Sequence, residues 1–293
     1  MELTLRSPKK SLALWVQLTK PGIIMGNLLT AFGGFMLGRP DKFWALNLLF
    51  TLIGLGCVIG SACTFNNIID QKLDKQMSRT AKRPLPTGQI LSQTAVMFGM
   101  LLGLVGCLIL YCYINTLTML LALVGWILYV FVYSFMKYLT SFATWMGSLA
   151  GAIPPVVGYC AATNQLDLIA IALFLIVGCW QMPHFLAIGI YREEDYVKGA
   201  IPILPVITNT FVTKSHMICY LVGFIFACWV LYCLANLSLL FLAVMGICCV
   251  LWMFVAIQGF FVKEDKKWAK KMFLYSLVAI TAFSLSIPFL SCN

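Results

Sequence analysis

The sequence predicts an all-α, polytopic membrane protein of nine transmembrane helices with a cytoplasmic N-terminus. Three observations predict it. Of 293 residues, 61% are hydrophobic and only 10% charged, against roughly a quarter charged in soluble domains. Mean hydropathy is +0.94. Long charge-free runs alternate with short basic segments. This composition excludes a soluble enzyme, a disordered chain and a secreted disulfide scaffold.

A span needs about 20 apolar residues. The charge-free runs 21–38 and 43–69 give the first two helices, 21–38 and 45–66. The run 84–136 holds two more, 94–113 and 117–136, turning near Asn115. Runs 138–166 and 168–191 give 142–162 and 168–190. The run 215–262 again holds two, 216–235 and 239–259, turning near Asn236, and the ninth helix is 272–290. The run 199–213 is short and carries Pro202 and Pro205, so it reads as interfacial or re-entrant. Residues 1–20 form a cytoplasmic lead-in and 21–293 a single transmembrane domain.

The positive-inside rule supports count and direction together. With the N-terminus inside and the C-terminus outside, 18 of the 20 Lys and Arg fall on the cytoplasmic side, and only Arg39 and Lys42 fall outside. The net charge of +10 therefore reflects topology and attraction to anionic lipid rather than a nucleic-acid partner. The 12 cysteines contain no CxxC and read as small apolar residues. Gly56/Gly60, Gly99/Gly103 and Gly147/Gly151 suit close helix packing in lipid.

Only ten residues are acidic, and five of them lie in two segments on the predicted cytoplasmic side. In the first, Asn66, Asp70 and Asp74 are spaced i, i+4, i+8, so a continuing helix aligns them on one face. Two carboxylates and an amide oxygen make a hard-oxygen site suited to Mg²⁺, which takes few protein ligands and completes its shell with water and phosphate. Lys75, Arg79, Lys82 and Arg83 follow, cations suited to phosphate oxygens. A diphosphate substrate is the implication. The second segment, Tyr191 to Pro202, mixes Arg192, Glu193, Glu194, Asp195 and Lys198. His184 lies near the end of the sixth span beside Pro183, and an intramembrane ionisable residue is a functional candidate. His216 opens the seventh span.

These residues resemble the UbiA superfamily of intramembrane prenyltransferases, and within it the heme-modifying branch. The carriers are Leu18-Thr19-Lys20-Pro21-Gly22, the NxxxDxxxD stretch from Asn66 to Asp74, Arg79-Thr80 with Arg83, and Gly147 to Pro155. Trp180-Gln181-Met182-Pro183-His184 and Asp195-Tyr196 with Ile201 to Val206 complete the set. The resemblance implies nine helices around a central cavity. It implies transfer of the farnesyl group of farnesyl diphosphate to a vinyl group of heme b with addition of water, giving heme o and diphosphate. Magnesium is the implied metal, held by Asn66, Asp70 and Asp74, with Asp195 and Glu194 as further acids. Arg79, Lys82, Arg83, Arg192 and Lys198 would face the diphosphate. Gln181, His184 and His216 would face the heme, His184 through its iron or its propionates.

One departure stands out: relatives carry Asp where this chain has Tyr191, so the second acidic motif is Tyr191-x-x-x-Asp195. Tyr129, Tyr133, Trp145, Tyr159 and Trp180 are aromatic candidates for the cavity wall, where ring faces stabilise an allylic cation. The alternatives weighed are a prenyltransferase acting on an aromatic quinone precursor, and a membrane transporter. The implied setting is the cell inner membrane, with a functional link to heme a synthase or a terminal oxidase.

Overall fold

The computed structural model describes residues 8–38, 44–77 and 80–290. Arg79, Arg39 and Lys42 lie outside the described residues. Helix α1 (Pro8–Leu18) leads into α2 (Pro21–Leu37), α3 (Trp44–Ile69) and the single turn α4 (Gln71–Asp74). Next come α5 (Ser92–Tyr113) and α6 (Thr116–Ile127), which continues through a π-helical stretch (Leu128–Tyr133) into α7 (Ser134–Met136). Then follow α8 (Ala143–Gly151), α9 (Ile153–Thr163), α10 (Leu168–Tyr191), α11 (Glu193–Lys198) and α12 (Leu204–Ile207). Helices α13 (Thr210–Leu234), α14 (Leu239–Gln258) and α15 (Asp265–Leu290) complete the chain, and the described residues contain no strand.

Seven helices among the described residues are long and apolar enough to cross a membrane: α3, α5, α6 with its continuation, α10, α13, α14 and α15. Two expected spans fall short of that measure. The expected 21–38 span is the 17-residue α2. The expected continuous helix 142–162 is broken between Gly151 and Ile153. Pro154 and Pro155 have no N–H to give to the carbonyls one turn back, so they start a new helix rather than extend the old one. The anticipated turns do form: Asn115 caps α6 by accepting from Thr118 N–H at 2.8 Å, and Asn236 takes a left-handed φ of 48° between α13 and α14.

Chain neighbours pack side by side: α2 on α3, α3 on α5, α5 on α6, α10 on α13, α13 on α14 and α14 on α15. Helix α15 then returns against α2 and closes the ring. Helix α9 sits inside it, touching α2, α3, α6 and α10, with every residue from Ile153 to Ala161 buried. The tightest backbone approaches are not at the anticipated glycine pairs. A Cβ on Gly158 would overlap the Ala31 carbonyl, and one on Gly34 the Pro155 carbonyl, so α2 and α9 meet backbone to backbone. Outward faces carry exposed Leu, Phe, Ile and Trp, as lipid requires.

Candidate active site

The hydrogen bonding of α3 runs past its last residue. Asp70 N–H donates to Asn66 C=O at 2.9 Å and Asp74 N–H to Asp70 C=O at 2.8 Å. The i, i+4, i+8 stripe therefore forms across the α3–α4 junction. All three side chains are buried, at 2, 7 and 3% exposure, and all three line one polar pocket of about 240 Å³.

Each meets a cation brought from elsewhere in the chain. Lys20 Nζ donates to Asn66 Oδ1 at 2.5 Å, Lys137 pairs with Asp70 Oδ2, and Arg83 lies 2.8 Å from Asp74 Oδ2. Tyr138 Oη adds a hydrogen bond to Asp70 Oδ1 at 2.5 Å. Lys20 reaches inward from a left-handed backbone, φ 52° and ψ 68°, a conformation rare for a residue other than glycine. Burial pushes its ammonium down to about 8, the neighbouring Arg83 charge helping. Burial likewise lowers Lys137, against the pull of Asp70. The Tyr138 hydroxyl is raised, by burial first and then by its bond to Asp70.

The π-helical stretch positions this side of the pocket. Its extra residue per turn lets Ser134 Oγ donate to the carbonyl of Tyr129, five residues back, at 2.9 Å. Asn66 Nδ2 in turn donates to Ser134 Oγ at 2.9 Å. Tyr129, Tyr133 and Lys137 all reach the pocket from this one rod.

A second, mainly apolar cavity of about 740 Å³ adjoins the first, and Ile23, Tyr129, Tyr133 and Phe185 line both. Its wall includes Trp180, Gln181, His184 and Phe273. Tyr159 and Trp145 line neither cavity: Tyr159 donates to Asp167 at 2.8 Å, and Trp145 is 40% exposed on the outer face.

Other sequence candidates sit apart. Lys82 is exposed and lines neither cavity. His216 is exposed on α13, with Tyr220 its ring neighbour at 6.5 Å. Arg192 lies over the Tyr191 ring at 4.6 Å. Glu194 is exposed and pairs with Lys266 of α15, because its surface position on α11 faces the start of that helix. Asp195 and Lys198 share α11 with Tyr196, which does line the polar pocket. Lys20, Lys137 and Tyr138 are site residues that motif reading passed over. The available signals were that Lys137 is the sole charge between Arg83 and Asp167, and that Lys20 sits within the Leu-Thr-Lys-Pro-Gly stretch.

No group of three or more His, Cys, Asp or Glu gathers among the described residues. What gathers is two carboxylates and an amide oxygen, beside three cations. That donor set suits a divalent ion needing one or two carboxylates, its remaining positions taken by water and phosphate. Lys20, Lys137 and Arg83 bond to those same oxygens.

Residues 27–278 match the UbiA prenyltransferase family model. The chain is 43% identical over 278 residues to a protoheme IX farnesyltransferase of Protochlamydia amoebophila, covering 94% of this chain and 97% of that one. It is 42% identical over 272 residues to a protoheme IX farnesyltransferase of Yersinia pseudotuberculosis, covering 92% of each. Among solved structures, a digeranylgeranylglyceryl phosphate synthase superposes with TM-score 0.78 at 16% identity over 96% of this chain and all of that one. A UbiA homolog from Archaeoglobus fulgidus bound to GPP and Mg²⁺ superposes with TM-score 0.65 at 14% identity, covering 94% and 99%. The low identities of these structures carry the fold, and the family model with the close relatives carries descent: this chain belongs to the UbiA prenyltransferase family.

Proposed function

We propose that this membrane prenyltransferase transfers the farnesyl group of farnesyl diphosphate to a vinyl carbon of heme b, yielding heme o. The observation that carries it is the joining of a polar, cation-rich pocket to a larger apolar cavity through shared aromatic walls. The names of the close relatives support the choice of acceptor.

In this reading Asn66, Asp70 and Asp74 hold Mg²⁺ with the diphosphate. When bound, the metal supplies Lewis-acid stabilisation of charge on the departing oxygens. Lys20, Arg83 and Lys137 bring three positive charges against two carboxylates, a net +1 for the anionic leaving group. The C1–O bond breaks, diphosphate takes the electron pair, and the allylic cation is left facing Tyr129 and Tyr133. The vinyl π-electrons form the new carbon–carbon bond to C1. Water then adds to the resulting cation and loses a proton, leaving the hydroxyl. An apolar wall keeps bulk water from the first cation until the porphyrin reacts.

Arg79, Lys82, Arg192 and Lys198 are assigned to drawing in the diphosphate, Asp195 to a secondary metal contact, and Gln181 and His184 to the heme. The polar pocket is placed at the cytoplasmic face of the cell inner membrane, with the N-terminus inside. Nine crossings result if α2 and the joined α8–α9 each count as one. The product would serve a heme a synthase or terminal oxidase. The test supplies purified protein with heme b, farnesyl diphosphate and Mg²⁺ and seeks hydroxyethylfarnesyl heme by mass spectrometry, with Asp70→Ala alongside. A metal-dependent adduct lost in the variant is expected. Prenylation of a hydroxybenzoate but not of heme would overturn the choice of acceptor.

A further inference from the structure

His184 projects from α10 into the wall of the apolar cavity, and its ring is held on three sides. Trp180, one turn earlier, stacks on it at 4.9 Å and 28°. Phe273 of α15 lies at 4.9 Å, and Phe185 stands edge-on at 5.6 Å. Ser276, fully buried on α15, ties this arrangement with two atoms. Its backbone carbonyl accepts Trp180 Nε1–H at 2.7 Å, and its Oγ lies 2.7 Å from His184 Nδ1.

The hydrogen-bond chain decides the tautomer. Ser276 has one hydroxyl proton, and it is given to the Phe273 carbonyl at 2.6 Å. Towards His184 the same oxygen can only accept, so Nδ1 carries the ring proton. In a neutral imidazole Nε2 is then an unprotonated lone pair. Nε2 has no hydrogen-bond partner among the described residues, and it is not among the fully buried atoms lacking one. It is therefore accessible, at a residue that lines the cavity.

A propionate requires a donor, and this nitrogen offers none. A lone pair on a ring clamped between aromatic planes, its other N–H given to an oxygen acceptor, is the arrangement of a metal-ligating histidine, whose outer hydrogen bond fixes tautomer and raises basicity. Resting on the function assigned above, we propose that His184 Nε2 is the axial ligand of the iron of the porphyrin substrate. Ser276 is the positioning residue that sets its tautomer and ring plane.

The test needs no farnesyl diphosphate, so it is independent of turnover. Ferric heme b is titrated into the full-length protein in detergent and followed by absorption, electron paramagnetic resonance and, after reduction, resonance Raman spectroscopy. A histidine-ligated spectrum is expected. His184→Gly should lose it and weaken heme binding more than tenfold, with little change for iron-free protoporphyrin. Added imidazole should restore the spectrum, which also shows that the variant is folded, and His184→Leu serves if glycine unfolds the helix. Ser276→Ala should still bind heme, roughly 10- to 100-fold more weakly, with a lowered iron–nitrogen stretch. Unchanged spectra and affinity in both His184 variants would overturn the proposal. So would a His184 variant that keeps the spectrum but yields farnesylated heme without its hydroxyl, since that assigns the lone pair to the water's proton instead. A wild-type protein that shows the ligated spectrum yet makes no adduct would sink the farnesyl-transfer reading and leave the ligation standing.

Discussion

Replacing Lys137 by Met separates the roles of the cations in the polar pocket. Lys137 and Asp70 pair with side chains only 10% and 9% exposed, and removing one partner of such a pair typically costs about 3–5 kcal/mol. Tyr138 keeps its 2.5 Å bond to the carboxylate, and a hydrogen bond to a charged group offsets about 1.5 kcal/mol of that. The expected loss is therefore about 1.5–3.5 kcal/mol, or roughly 3–14 °C in the thermal midpoint of a chain this size. Mg²⁺ with an unreactive diphosphate analogue should largely close the gap, because the metal supplies the missing charge to Asp70. Turnover should not recover. One of three cations facing the leaving group is gone, and a charged hydrogen bond of about 1.5–3 kcal/mol means roughly 10- to 150-fold in kcat/KM. Thermal unfolding with and without Mg²⁺, beside steady-state kinetics, makes the measurement. An unchanged midpoint without metal and turnover within about twofold of wild type would refute the account.

Four further outcomes follow from the same geometry. Lys20 needs its proton to face diphosphate, and its value is depressed to about 8, so kcat/KM should fall as pH rises through that range, and Lys20→Arg should remove the fall. The stability sign is opposite: the unfolded chain binds this proton more tightly, so the lysine's contribution to stability grows from about pH 8 toward its ordinary 10.5. Asp74→Asn should lower kcat by at least about 100-fold and shift the Mg²⁺ titration upward; a normal titration would remove Asp74 from the metal set. Gly158→Ala should cost about 1–3 kcal/mol by forcing α9 off α2, whereas Gly246→Ala, with nothing within 4 Å, should stay within about 0.5 kcal/mol by thermal unfolding. Chelation should abolish turnover while leaving the circular dichroism unchanged; loss of helix would mean that the metal is structural.

Much of this was legible locally. Hydropathy places α3, α5, α10 and α14 because burying an apolar run in lipid depends on that run alone. Spacing places Asn66, Asp70 and Asp74 together because helical periodicity is a property of nine consecutive residues. Pro154-Pro155 could have been read as a break, since the missing N–H groups are in the sequence itself. The run 199–213, read as interfacial or re-entrant, holds the short α12, with Ile201 and Pro205 at the pocket, and the first turn of α13. The balance of positive charges remains the ground for the proposed orientation.

The partners were decided only by the tertiary structure. Lys20 reaches Asn66 across 46 residues, Lys137 reaches Asp70 across 67, and His184 meets Ser276 across 92. Lys137 and Lys20 fit the positive-inside count as well as any loop lysine, and the local signals that set them apart do not say which carboxylate or amide each one reaches. Glu194 stood beside the second acidic motif as a further acid, yet the start of α15 draws it to Lys266. The π-helical turn that aims Tyr129 and Tyr133 leaves no mark in composition. Periodicity and hydropathy depend on adjacent residues and can be read along the chain. Which cation fills which carboxylate, and which nitrogen of His184 keeps its lone pair, depends on how distant helices pack and share hydrogen bonds.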